Sequence, residues 1–97
     1  MMDVLVTYDI NTQTPEGQRR LARVASICES YGTRMQYSVF ECRLSETRFQ
    51  RLWTELAEVI DPYVDSVNFY RFPGVLADAR HTLGLQKARN LGKPWIL

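Results

Sequence analysis

The sequence predicts an α+β domain in the order β-α-β-β-α-β, with four antiparallel strands and two helices on one face of the sheet. Three observations carry that reading. Two stretches, each opened by a hydroxyl residue suited to an N-cap, repeat apolar residues at three- and four-residue spacing. Segments rich in Val, Ile, Tyr and Phe lie around them with strand-like patterning. Breakers fall between the elements at Gly32, Asp61-Pro62 and Pro73-Gly74.

Asp3 to Asp9 is the first strand. Val4, Leu5, Val6 and Tyr8 make a nearly continuous apolar run, as a central strand covered on both faces requires. Thr14, Pro15 and Glu16 then supply an N-cap, a proline at the first helical position and an acid in the first turn. This helix runs to about Tyr31, with Leu21, Val24, Ala25 and Cys28 as its apolar stripe. Arg19, Arg20 and Arg23 lie largely off the stripe, and Gly32 suits the C′ position that ends the helix.

From Tyr31 to Leu44 the pattern changes phase. Arg34, Gln36 and Ser38 recur at spacing two and would share one strand face, with Met35, Tyr37 and Val39 on the other. Past Ser38 the apolar set becomes Phe40, Cys42 and Leu44, which demands a bulge, a kink or a tight hairpin. The segment therefore reads as two short strands or one bent strand. Ser45 caps a second helix carrying Phe49, Leu52, Trp53, Leu56 and Ile60 on one face, and Asp61-Pro62 stops it. Val64 to Phe72 is the last core strand, with Val67 and Phe69 opposite Asn68 and Tyr70. This is the ferredoxin-like plan. Residues 1–74 form that core, and residues 75–97 form a tail. Its apolar end, Pro94-Trp95-Ile96-Leu97, is an extra C-terminal strand expected to seek the edge of a partner subunit.

With 97 residues the chain makes one domain with a modest core, which dimerisation would help to cover. The 24% charged and 45% hydrophobic fractions belong to a folded globule. No apolar run approaches the roughly 20 residues of a membrane span, and the start lacks a signal peptide, so a cytoplasmic location is expected. Cys28 and Cys42 have no metal or redox spacing and read as buried thiols. A net charge of +1 gives no global signal for nucleic acid. Positive charge does gather between Arg19 and Arg34 and again in the tail, while Glu46, Glu55, Glu58, Asp61 and Asp65 form an acidic group.

Chemistry has few places to sit. Asp9 ends the first strand, where a carboxylate either helps to hold a hard divalent cation or caps the turn into Asn11. Turn-forming Asp is far the commoner of the two. One carboxylate is too few for Mg²⁺, but a two-fold axis near Asp9 would supply a second. His81 is the sole histidine, so no histidine cluster or triad can form within one chain. The five glycines are scattered and make no phosphate loop. Trp53 reads as core, and Tyr37, Phe40 and Tyr70 could stack on bases, although such residues more often pack.

Several of these residues recur together in a known family. Val6-Thr7-Tyr8-Asp9-Ile10, the Arg-rich first helix, Tyr31-Gly32-Thr33-Arg34-Met35-Gln36-Tyr37-Ser38-Val39-Phe40-Glu41-Cys42 and Asp65-Ser66-Val67-Asn68-Phe69-Tyr70 resemble, in order and spacing, CRISPR-associated protein two. That is the small protein of the spacer-acquisition machinery. The likeness covers about residues 3 to 72. It implies a ferredoxin-like homodimer whose C-terminal strand extends the partner's sheet. It further implies binding of double-stranded DNA, or of RNA, and assembly with the integrase subunit that inserts spacers.

By the same resemblance Asp9 corresponds to an aspartate proposed to bind Mg²⁺ or Mn²⁺ at the dimer interface. With Tyr8 it makes the candidate catalytic pair. Arg19 or Arg20, Arg34 and Phe40 fall where the family places residues of nuclease activity or nucleic-acid contact, and Arg23 of the same basic helix joins that set. Three functions follow in order: a nucleic-acid-binding scaffold, a metal-dependent endonuclease, and a generic ferredoxin-like module for a small molecule or a protein.

Overall fold

Both helices begin where their caps predict. The structure, a computed structural model, describes residues 1–84. Strand β1 (Met2–Asp9) is followed by α1 (Pro15–Tyr31), β2 (Gly32–Gln36), β3 (Val39–Leu44), α2 (Glu46–Val59), β4 (Ser66–Phe72) and one helical turn, α3 (Leu76–Ala79). At the start of α1 the Thr14 hydroxyl accepts from the Gly17 amide at 3.0 Å. At the start of α2 the Ser45 hydroxyl accepts from the Arg48 amide at 3.2 Å. Each bond satisfies one of the amides that a helix start leaves without a partner.

The sheet has the order β2-β3-β1-β4 and is antiparallel throughout. Val4, Val6 and Tyr8 of β1 and Phe40, Cys42 and Leu44 of β3 point toward the helices. There they meet Val24 and Cys28 of α1 and Phe49, Leu52 and Leu56 of α2, and together these residues form the core. Trp53 stays 51% exposed at the border of this layer, beside Phe69 of β4 with ring centroids 5.0 Å apart. The core position expected for Trp53 is therefore a boundary position, because the sheet ends at β4.

Gly32 does not serve as a left-handed helix terminator. Its backbone is extended (φ −163°) and it opens β2 directly, donating its amide to the Cys28 carbonyl. Glycine is required there for space: a Cβ would lie 2.2 Å from the Glu41 carbonyl oxygen and 2.5 Å from Cys42 Sγ.

The phase change expected near Ser38 is made by two devices. Tyr37 and Ser38 form a two-residue turn between β2 and β3. The register also slips between Arg34 and Gln36, which leaves Met35 as an extra residue in β2. Arg34 pairs with Phe40, on the helix side, whereas Gln36 pairs with Val39, on the opposite side. Arg34 and Gln36 thus do not share a face, contrary to simple alternation, because the bulge inserts one residue between them.

The opposite face of the sheet carries Asp3, Leu5, Thr7 and Asp9 of β1, Val39, Glu41 and Arg43 of β3, and Asn68 and Tyr70 of β4. The two long helices leave it uncovered. Among the described residues only the segment around α3 crosses one end of it, held by the Leu76 amide on Asp3 Oδ2 at 2.7 Å and by an ion pair between Arg80 and Glu41. No described helix is long and apolar enough to cross a membrane. The expected strand at Pro94–Leu97 lies outside the described residues.

Candidate functional site

A buried carboxylate fixes the end of the molecule where β1 finishes. Asp65 sits one residue before Ser66, which pairs with Asp9. Its side chain is fully shielded from solvent and accepts from four donors. These are Arg20 Nε at 2.7 Å, Arg20 Nη2 at 3.4 Å, the Asn11 amide at 2.9 Å and the Asp61 amide at 2.9 Å. One group therefore ties α1, the β1–α1 loop and the α2–β4 loop together. Burial alone would raise the carboxyl pKa, but the Arg20 and backbone hydrogen bonds outweigh it and hold Asp65 below the usual aspartate value. The sequence groups Asp65 with Glu46, Glu55, Glu58 and Asp61 as one acidic cluster. Only its place before a strand, after a proline-stopped helix, hints otherwise.

Arg20 is consequently committed to the fold. It also reaches the Asn11 carbonyl at 3.5 Å. The other two arginines of α1 differ. Arg19 makes only an exposed contact with Glu16 at 3.4 Å, and Arg23 is exposed with no ion pair among the described residues. Both border a groove of about 580 Å³ between α1 and α2, shared with Glu55 and Glu58. The surface of the helix layer is thus mixed in sign rather than basic.

Tyr8, Phe40 and Arg34 form a stack on the helix side. The rings of Tyr8 and Phe40 lie 6.2 Å apart and nearly parallel. Arg34 Cζ sits 5.2 Å above the Phe40 centroid, and Arg34 Nη2 lies 3.5 Å from Glu29 Oε1. The Tyr8 hydroxyl donates to the Tyr37 carbonyl at 3.1 Å. Burial pushes the Tyr8 phenol up from its ordinary value, aided by the Cys28 thiol and opposed by the Arg34 guanidinium. Tyr8 is therefore a protonated, engaged donor at neutral pH. Phe40 is wholly buried, so its face meets Arg34 and the core, and any influence on nucleic acid passes through Arg34.

Asp9 stands apart from this stack. It is exposed on the uncovered face, and Tyr8, its neighbour in the strand, points the other way. Within one chain the fold does not bring Asp9 and Arg34 into one cleft, because the bulge at Met35 leaves Arg34 on the helix side. Gln36, rather than Arg34, shares the face of Asp9, together with Val39 and Glu41 of the same motif. Among the described residues no group of three His, Cys, Asp or Glu side chains could hold a metal ion. A single carboxylate does not by itself fit a resident divalent cation, which needs about six oxygen ligands.

Comparison with known proteins agrees with the fold. Residues 2–75 match the family model described as CRISPR associated protein Cas2. The chain is 51% identical over 69 residues to "CRISPR-associated endoribonuclease Cas2" of Chlorobaculum tepidum, covering 71% of this chain and 72% of that one. It is 38% identical over 95 residues to "CRISPR-associated endonuclease Cas2" of Halalkalibacterium halodurans, covering 98% and 99%. The crystal structure of Streptococcus pyogenes Cas2 superposes with a TM-score of 0.78 at 44% identity, over 86% of this chain and 100% of that one.

Proposed function

Because the chain belongs to the Cas2 family of CRISPR-associated proteins, we propose that it works as a homodimer that binds nucleic acid through its phosphates, with Asp9 at the centre of the shared site. The observation that carries this is the sheet face that the described residues leave largely uncovered. Leu5, Val39 and a half-exposed Tyr70 lie on it, and Asp9 stands at its edge. Apolar side chains on an open sheet want cover, and a second copy laid face to face supplies it. Such a two-fold arrangement also supplies a second Asp9.

Two carboxylates, waters and a substrate phosphate suit Mg²⁺ or Mn²⁺, hard cations that accept mixed oxygen shells. When bound, the cation would polarise a phosphodiester and lower the pKa of a water. The rest falls to the chain's own groups. Asp9 supplies the anionic ligand and a hydrogen-bond acceptor. Arg34, with Arg19 and Arg23, neutralises backbone phosphates. Tyr8, protonated and bonded to the Tyr37 carbonyl, steadies the hairpin turn and the Phe40–Arg34 stack instead of moving a proton. Asp65 and Arg20 keep the end of β1 in place. The generic ferredoxin-like module gives way to the family assignment.

A specific observation favours a second reading, in which the dimer holds duplex DNA for the spacer integrase without cutting it: among the described residues Asp9 belongs to no group of three potential metal ligands. A divalent-metal titration of cleavage, with wild type and Asp9→Ala side by side, separates the two readings. The nuclease reading expects cleavage that saturates with Mg²⁺ or Mn²⁺ and falls by about a hundredfold or more in Asp9→Ala. Equal cleavage by both proteins would refute it. Duplex binding without metal-dependent cleavage would leave the scaffold alone.

A further inference from the structure

Two arginine–carboxylate pairs of this fold are built in opposite ways. Arg20 meets Asp65 through two nitrogens, at 2.7 and 3.4 Å, on a carboxylate with no solvent exposure. Arg34 meets Glu29 through one nitrogen at 3.5 Å, with side chains 43% and 59% exposed. The first is a fixed joint. The second is monodentate, long and wet, the kind of contact that contributes little to stability and yields to a better anion.

Arg34 is otherwise well held. Its guanidinium lies over the Phe40 ring, and that ring is locked in the core against Tyr8. The groups around it are the Tyr8 phenol, the Cys28 thiol and the Glu29 carboxylate. Of these only Glu29 is a carboxylate, and it is exposed. The base of the guanidinium is thus oriented by an aromatic face, while its donor edge is occupied by a removable carboxylate.

We propose that Glu29 is a positioning residue that occupies Arg34 as a stand-in for phosphate, and that an incoming nucleic-acid phosphate displaces it. The inference rests on the reading of Arg34 as a phosphate contact. Glu29 then has two effects. It keeps the guanidinium from wandering in the free protein, and it sets a threshold that weak or lone anions do not cross. A polyanion, which presents phosphates at high local density, crosses it readily.

The test is duplex-DNA binding by wild type, Glu29→Gln, Arg34→Ala and the double variant, each measured across a salt series on a short blunt-ended duplex. Glu29→Gln is expected to tighten binding by about threefold to tenfold at low salt, the order of one exposed charge contact per copy. The gain should fade as salt rises, because the pair it removes is exposed and screened. Arg34→Ala is expected to weaken binding and to flatten the slope of log affinity against log salt by about 0.9 for each phosphate that arginine neutralises. In the Arg34→Ala background, Glu29→Gln should give no further gain. Glu29 lies on the surface of α1, and a thermal melt checks that every variant folds.

If Arg34→Ala weakens binding but Glu29→Gln changes nothing, the stand-in role is overturned while the phosphate contact stands. If Glu29→Gln helps equally with and without Arg34, Glu29 acts as a general negative charge and the inference fails. If Arg34→Ala itself leaves affinity and salt slope unchanged, the phosphate contact on which the inference rests is wrong.

Discussion

Replacing Asp65 should damage the fold more than replacing any exposed acid. In Asp65→Ala the Asn11 and Asp61 amides both lose the acceptor they now reach at 2.9 Å. A buried amide left without a partner costs about 1–3 kcal/mol. Two of them, taken toward the low end because the clamp lies near the surface, give a loss of about 3 kcal/mol. Asp65→Asn should fare little better. One amide oxygen can serve one backbone donor, but its NH₂ group would face the other donor and the Arg20 guanidinium. For a domain of this size each kcal/mol moves Tm by about 4–8 °C, so a drop of about 12–24 °C is expected. The assay is thermal and urea denaturation at one fixed protein concentration, since dimerisation would couple stability to concentration. A second signature is pH. The folded pKa of Asp65 lies below its ordinary value of 3.8. Its contribution is therefore present above the unfolded pKa, near 4, and is lost as pH falls through the lower folded pKa. Wild type should lose this increment on acidification, and Asp65→Asn, already without it, should not. A Tm within about 3 °C of wild type for either variant would refute the clamp.

Four further outcomes can be checked. Asp9→Ala should keep Tm within about 3 °C of wild type, because the side chain is exposed and makes no hydrogen bond among the described residues, while the nuclease reading expects metal-dependent cleavage to be lost. Gly32→Ala should cost about 1–3 kcal/mol in urea denaturation, since its Cβ would be driven against the Glu41 carbonyl at 2.2 Å. Burial pushes the Cys28 thiol to about 12 and the Cys42 thiol to about 11, so neither should react with a disulfide reagent in the native protein, and both should react on unfolding. With folded pKa values above the unfolded thiol value, that part of the stability is complete below pH about 8.5 and falls as pH rises toward the folded values, which an alkaline denaturation series would reveal.

Much of this architecture is legible from residue patterns because the determinants are local. The caps Thr14 and Ser45, the stripe Val24 and Cys28, and the breaker Asp61-Pro62 each act within a few positions of themselves. The phase change after Ser38 announces a bend, yet alternation alone groups Arg34 with Gln36. The bulge that parts them depends on pairing with β3, and a single strand does not carry that information. Phe40 reads first as packing and only second as a base platform, because an aromatic residue in a strand carries no mark of its face. The register with Val6 sends it inward. Arg19, Arg20 and Arg23 are indistinguishable as three arginines on one helix. Their difference comes from Asp65, 45 residues away from Arg20 in the chain. Asp9 stands out by its place at a strand end, and the open face on which it lies follows from which side the helices take.

The bulge at Met35 has a consequence for the chain's behaviour in a crowded solution. Among the described residues the sheet has two edges, β2 and β4. Strand β4 pairs with β1 through seven consecutive residues without a slip, so its outer side is a regular row of donors and acceptors. Strand β2 is five residues long and broken in register. An irregular, twisted edge is a poor template for another strand. Open-ended stacking of sheets into a fibre needs two receptive edges on every molecule, and this one offers a regular row on one side only. Among the described edges, a strand that joins the sheet is therefore steered to β4 in preference to β2.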